Sequence, residues 1–353
     1  MVVSFLYIRK NIFWYTKYFN GGLIILANST LKELLREYEK NRLNKEQELD
    51  EKLRKFYIKN PDISNLNDKI NKISIDISKN ILLKNNIDNL KLDLEKYKSE
   101  KQRLLTKLNI TDDFFKPDYN CKLCNDTGYL INNNQIMCTC LKQKLLDIEY
   151  NKSNISNLGN ENFSTFNINI FSDTVDEKKY NSNISPRDNM KKIKDLSEKF
   201  IENFDSFEEK NLLFTGNTGL GKTFLTNCIA NELLNRGKTV LYQTAPVMLD
   251  SIMDYRFGKN NNFNYNDLLN VDLLVIDDLG TESLNNMKFS ELFNILNTRL
   301  LNQNNHVTKT IISTNLSLNN LFKTYDERIF SRLVGYYNIC RFFGNDLRYT
   351  KAP

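Results

Sequence analysis

The stretch Gly216-Asn217-Thr218-Gly219-Leu220-Gly221-Lys222-Thr223 decides how the rest of the chain reads. Asn211–Thr215, just before it, is a short apolar run of buried-strand type, and Phe224–Asn235, just after it, has the pattern of a helix. Glycines at that spacing let successive backbone N–H groups turn inward around a phosphate, and the helix N-terminus adds its dipole. Lys222 would bring a point charge to the β- and γ-phosphates of a nucleotide, and Thr223 would offer a hydroxyl to Mg²⁺. All eight residues are therefore expected to contact the nucleotide.

Reading outward, Thr239–Gln243, Val271–Asp277, Thr308–Ser313 and Asn338–Phe342 are further short apolar or β-branched runs, separated by helical patterns. Strands alternating with helices predict a parallel sheet covered on both faces, an α/β domain spanning 187–353. Leu273-Leu274-Val275-Ile276-Asp277-Asp278 places two carboxylates after four apolar residues. Ligands of open α/β sheets lie at the carboxyl ends of strands, so Asp277 is expected in the Mg²⁺ shell and Asp278 against the attacking water. The alternative is ion pairing with a nearby basic residue. Asn315, just past the strand Thr308–Ser313, could orient that water or be a turn residue. Arg332 and Arg348 could each reach a γ-phosphate, from the same subunit or a neighbour, or form surface ion pairs.

The N-terminal half reads differently. From Ser29 the pattern is helical. After Pro61, Ile63, Leu66, Ile70, Ile73 and Ile77 are spaced 3-4-3-4, and Ile87, Leu90, Leu94, Tyr97, Lys101, Leu104 and Leu108 resume that spacing in a shifted phase. The break near Lys84–Asn86 predicts two helices folded back on each other, hiding the stripe or leaving part of it for a partner. Residues 1–28 form an extension of uncertain status, either poorly ordered or an artefact of start-codon choice. Residues 29–116 are helical, 117–150 a cysteine module, and 151–186 a polar linker and surface loop.

Four of the six cysteines fall in Cys121-x2-Cys124-x13-Cys138-x-Cys140. Two close thiol pairs around a Gly128-Tyr129 turn suit a tetrahedral Zn²⁺ knuckle; unliganded buried thiols and an Fe–S cluster are the alternatives. Clustered cysteines beside lone Cys228 and Cys340 fit a reducing compartment, and the chain reads as cytoplasmic. The uncharged stretch Tyr18–Leu31 is too short and too polar to span a bilayer, so no membrane role is expected.

The chain has 353 residues, 49 Lys plus Arg against 43 Asp plus Glu, and a single histidine. One histidine removes His₃ zinc sites and most His acid–base schemes, and His306 lies in a polar run that reads as a solvated loop. Within residues 1–110 stand 22 basic and 14 acidic side chains, so the basic excess is N-terminal and hints only weakly at a polyanionic partner. Tyr255, Arg256, Phe257 and Lys259 combine aromatic and basic character, as surfaces for single-stranded nucleic acid do and as solvated helix ends also do.

From about Glu161 onward the chain resembles the DnaC/DnaI/IstB group of AAA+ ATPases. The resemblance rests on the glycine loop, on Leu274-Val275-Ile276-Asp277-Asp278-Leu279-Gly280-Thr281-Glu282, on Ser313-Thr314-Asn315-Leu316 and on Glu327-Arg328-Ile329-Phe330-Ser331-Arg332-Leu333. It implies an ATPase in which Asn315 is sensor 1, Arg332 an arginine finger acting in trans and Arg348 sensor 2, with no full helical lid. The Asp277-Asp278 pair departs from the Asp-Glu usual among AAA+ enzymes, which bears on the hydrolysis rate. A zinc module behind a helical N-terminus resembles the DnaI-like loaders of the replicative helicase. The expected activity is ATP-dependent helicase loading, with the helicase hexamer, single-stranded DNA and other copies of the chain as partners. The alternatives are a transposition helper of the IstB kind and an adaptor that binds ATP with little hydrolysis.

Overall fold

The computed structural model describes residues 24–130, 133–149, 161–260, 263–283, 285–301 and 306–349. The extension before residue 24 and the first ten residues of the expected linker, 151–160, lie outside the described residues. The chain separates into two compact units, one of Lys32–Cys138 and one of Thr139–Pro353 together with the described residues before Lys32.

Helix α1 spans Ile24–Lys59 and so already includes the five residues before the expected start at Ser29, where Ile24–Ala27 carry no helix breaker. Helices α2, Pro61–Leu82, and α3, Asp88–Lys107, follow. Pro61 opens α2 at the position where its missing N–H costs nothing, and Lys84, at φ 57°, turns the chain between α2 and α3. These two helices pack on each other, and Lys101 Nζ donates to Asn67 Oδ1 at 2.6 Å across them. Ile63, Leu66 and Leu105 are buried, whereas Ile81, Leu82 and Leu83 at the turn are exposed. Along the stripe itself Ile63 and Leu66 are buried and Ile70, Ile73, Ile77, Ile87, Leu90 and Leu94 are half-buried, so the exposed residues at the turn lie off it. Strands β1, Tyr129–Leu130, and β2, Asn133–Met137, make a small antiparallel ribbon, and helix α4, Thr139–Glu149, follows.

Five parallel strands build the C-terminal sheet: β3 Asn211–Thr215, β4 Val240–Thr244, β5 Leu273–Leu279, β6 Lys309–Thr314 and β7 Tyr337–Arg341. Their order is β4-β5-β6-β3-β7, so β3 lies between two strands that come later in the chain. Alternate residues of each strand feed two cores. Leu213, Leu274, Ile276 and Ile312 meet helices α7, Ala245–Arg256, α8, Asn286–Leu301, and α9, Glu327–Tyr336, on one face. Leu212, Phe214, Leu273, Val275 and Ile311 meet α5, Pro186–Glu202, and α6, Lys222–Asn235, on the other. Burial on both faces explains why these strands read as continuous apolar runs.

The strand carrying the acids differs from its expected span. It runs Leu273–Leu279 rather than Val271–Asp277, and its register against β6 slips between Ile276 and Leu279. Asp278 sits in the left-handed region at φ 53°. The carboxylates therefore stand at a bulge inside the strand, where an extra residue re-aims side chains, rather than at its end. Among the described residues no helix is long and apolar enough to cross a membrane.

Candidate nucleotide site and cysteine cluster

The glycine loop begins where β3 ends and closes on the first turn of α6. Gly216 has φ 140°, and a Cβ there would lie 2.3 Å from the carbonyl oxygen of Phe342, so only glycine lets the residue after β7 pass this close. At Gly219, φ 77°, a Cβ would meet the Asp346 carboxylate at 1.9 Å. The chain after β7 is thereby pressed onto the loop, and Leu347 N–H donates to Gly219 O at 2.9 Å.

Lys222 is buried at 6% exposure and donates to Gly216 O at 2.6 Å, Asn217 O at 2.8 Å and Asn315 Oδ1 at 2.8 Å. Desolvation lowers its pKa, partly opposed by Asp278 and Asp277. Its ammonium is held by neutral oxygens, ready to be exchanged for an anion.

Asp277, 5% exposed, is the centre of the polar array. Tyr242 Oη donates to its Oδ2 at 2.6 Å, Thr223 Oγ1 lies 3.4 Å from the same oxygen, and Ser313 Oγ hydrogen-bonds its Oδ1. Oxygen donors of Thr223 and Asp277 are the hard ligands Mg²⁺ takes, so the pair fits that ion. The half-buried Asp278 donates its N–H to Asp277 Oδ1 at 3.0 Å. Burial, then the neighbouring Asp277 charge, raises the pKa of Asp278, while Lys222 opposes that shift.

The structure thus brings Lys222, Thr223 and Asn315, which follow β3 and β6, together with Asp277 and Asp278 at the bulge of β5. It keeps the arginines apart. Arg348 pairs with Asp346 at 2.7 Å and is largely exposed, reaching the loop only through that carboxylate. Arg332 donates to Asn297 Oδ1 at 3.2 Å and lies over the Phe293 ring, not against its own glycine loop. Arg256, one of the candidate strand-binding residues, is paired with Glu291 at 2.8 Å and stacked on Tyr265, while Phe257 and Tyr255 remain exposed. His306 is half exposed and pairs with Asp272 at 3.0 Å, away from these groups.

Sequence reasoning passed over Tyr242 and Ser313. Register could have found them: Ile312 pairs with Ile276, which puts Ser313 beside Asp277, and Tyr242 pairs with Val275, two residues before Asp277 on the same face. It also passed over Glu282, whose carboxylate accepts from Gly280 N–H at 2.8 Å and from the Tyr325 hydroxyl, fastening the loop after β5 to the start of α9.

Cys121, Cys124, Cys138 and Cys140 bring their sulfurs within 4.8 Å of one another. Cys121 Sγ and Cys138 Sγ are 3.8 Å apart. Thiolates at about 2.3 Å from a tetrahedral Zn²⁺ would stand about 3.8 Å from each other, so this spacing fits the ion. Asp126 receives the N–H groups of Asn120 at 2.9 Å and Cys121 at 2.8 Å, and Cys138 N–H donates to Gly128 O at 2.8 Å, which fixes the turn the cysteines hang from. Cys228 and Cys340 are buried elsewhere, and burial pushes each thiol up to about 12.

A phosphate loop on β3, an acidic strand two places away and an intervening strand tipped by asparagine define a P-loop nucleotide-binding domain of the AAA+ class. The sequence pattern of the IstB-like ATP binding proteins matches residues 162–342, and the chain belongs to that family. A curated relative is the Replicative helicase loader DnaC of Escherichia coli (strain K12), 32% identical over 136 residues, which are 38% of this chain and 54% of the relative. The chain therefore spans about half the length of the curated relatives it matches. Among solved structures, that of the DnaC helicase loader aligns at 21% identity and TM-score 0.42, covering 53% of this chain and 99% of the other. The DnaI structure aligns at 24% identity and TM-score 0.37, covering 52% of this chain and 95% of the other.

Proposed function

We propose that this protein is an ATP-dependent loader of a replicative DNA helicase. The carrying observation is the convergence of Lys222, Thr223, Asp277, Asp278 and Asn315 at the sheet's carboxyl edge. The helicase part of the reading is supported by the name of curated relatives such as the Escherichia coli protein.

In this reading a triphosphate draws Lys222 away from Gly216 O, Asn217 O and Asn315, which frees the Asn315 amide to hold a water. Asp278 accepts that water's proton as its oxygen attacks the γ-phosphorus. The bond from that phosphorus to the β–γ bridging oxygen breaks, leaving ADP and phosphate. Tyr242 and Ser313 fix the Asp277 carboxylate, which with Thr223 would hold Mg²⁺; that ion would neutralise charge on the phosphate oxygens. Arg332 would meet the γ-phosphate of a neighbouring copy, and Arg348, leaving Asp346, that of its own. Zn²⁺ on the four clustered cysteines would stabilise the module behind the helical hairpin, and that N-terminal region would grip the helicase hexamer in the cytoplasm. Single-stranded DNA would lie against the ATPase domain, with exposed Phe257 and Tyr255 as stacking platforms.

The test is size determination of the purified full chain, alone and with a replicative helicase of its host, with and without a non-hydrolysable ATP analogue. A nucleotide-dependent co-migrating complex is expected. Independent migration under every condition would overturn the loader reading while leaving nucleotide binding to be measured directly.

A further inference from the structure

Two arginines stand one turn apart on α9, and their surroundings differ. Arg328 is held by Asp326 through two contacts, Nε to Oδ1 at 3.0 Å and Nη2 to Oδ2 at 3.1 Å, so its charge is met by a carboxylate of its own chain. Arg332 has no carboxylate partner among the described residues: its Nε donates to the neutral Asn297 Oδ1 at 3.2 Å. Both guanidinium groups approach the Phe293 ring, Arg328 at 5.3 Å and Arg332 at 5.8 Å. Phe293 and Asn297 are themselves four residues apart on α8, hence on one face of that helix, and α8 packs against α9.

We infer that Asn297 is a positioning residue for Arg332, holding its Nε and leaving both terminal nitrogens, with the full positive charge, free to meet an anion on another copy of the chain. The inference rests on the trans-finger role proposed for Arg332 and supplies the reason that this arginine, rather than Arg328, performs it. An amide suits the task where a carboxylate would not. It accepts one hydrogen bond and fixes the plane of the guanidinium without neutralising it, whereas Asp326 binds Arg328 in the two-point manner that occupies the fork. Phe293 fills the space beneath the cation and attracts it through its ring face.

The test uses the full chain at concentrations where it self-associates, with ATP as the probe, and follows phosphate release and ATP affinity separately. An arginine finger is worth about 10³-fold or more in turnover, and misplacing a group by about an ångström costs on the order of 10²-fold. Asn297→Ala is therefore expected to lower kcat by roughly 10- to 100-fold with ATP affinity unchanged, less than Arg332→Ala does. Adding Asn297→Ala to Arg332→Ala should cost nothing more. Mixing Asn297→Ala subunits with Lys222→Ala subunits, which bring an intact finger but no working loop, should restore turnover; Lys222→Ala/Arg332→Ala subunits should not.

Normal turnover in Asn297→Ala beside a collapse in Arg332→Ala would overturn the inference. So would a deficit that mixing fails to repair, which would mark a structural role confined to the subunit's own fold. Full turnover in both single variants would instead strike the trans-finger reading beneath it.

Discussion

Lys222→Ala tests the site at its centre. In the free protein the ammonium already has three acceptors, at 2.6, 2.8 and 2.8 Å, all neutral oxygens of its own chain. Nucleotide binding therefore exchanges hydrogen bonds the lysine has already made for others of the same number, and the gain is the difference between a neutral and an anionic acceptor. A hydrogen bond involving charged groups is worth about 1.5–3 kcal/mol, which converts to roughly 10- to 150-fold in affinity. Calorimetric titration of MgATP into wild type and variant measures that ratio directly. The thermal midpoint of the variant, measured beside the titration, separates lost affinity from unfolding. A well-folded variant that binds MgATP within about threefold of wild type would refute the assignment of this lysine to the phosphates.

Asp278→Asn should abolish phosphate release yet raise the thermal midpoint at neutral pH, because the raised pKa of Asp278 reports a cost of ionisation in the fold and asparagine tolerates its left-handed backbone. That stabilisation should fade as the pH falls through the carboxylate range and the wild-type acid becomes neutral; a midpoint difference independent of pH would contradict it. Tyr325→Phe removes a buried donor from Glu282 and should cost about 1.5–3 kcal/mol, read as a lowered midpoint of the C-terminal unit's unfolding transition; an unchanged midpoint would argue against that contact. Chelation should release about one Zn²⁺ per chain and open four thiols to alkylation while Cys228 and Cys340 stay unreactive, with mass spectrometry as the readout. Modification of those two at the same rate as the cluster would contradict their burial.

Much of the C-terminal fold was written in local pattern. A continuous apolar run such as Leu273–Ile276, set between helical patterns, reads as a strand buried on both faces, and a glycine turn between strand and helix fixes the loop's place at the sheet edge. What the linear order conceals is lateral. Nothing in Asp277-Asp278 announces a bulge, since the slip arises from how β5 and β6 must part where the carboxylates turn. Asn297 and Arg332 are 35 positions apart, and their meeting depends on the crossing of α8 and α9, which periodicity does not specify. Tyr242 and Ser313 looked like ordinary strand residues until pairing register set them on either side of Asp277.

The slip at residue 278 also marks a place where foldability and chemistry pull in opposite directions. Deleting that one residue would let β5 run straight beside β6, trading a left-handed, partly desolvated position for a regular ladder. In a screen of single-residue deletions scored twice, for expression and for turnover, this site should rank among the best tolerated strand positions by the first measure and among the worst by the second.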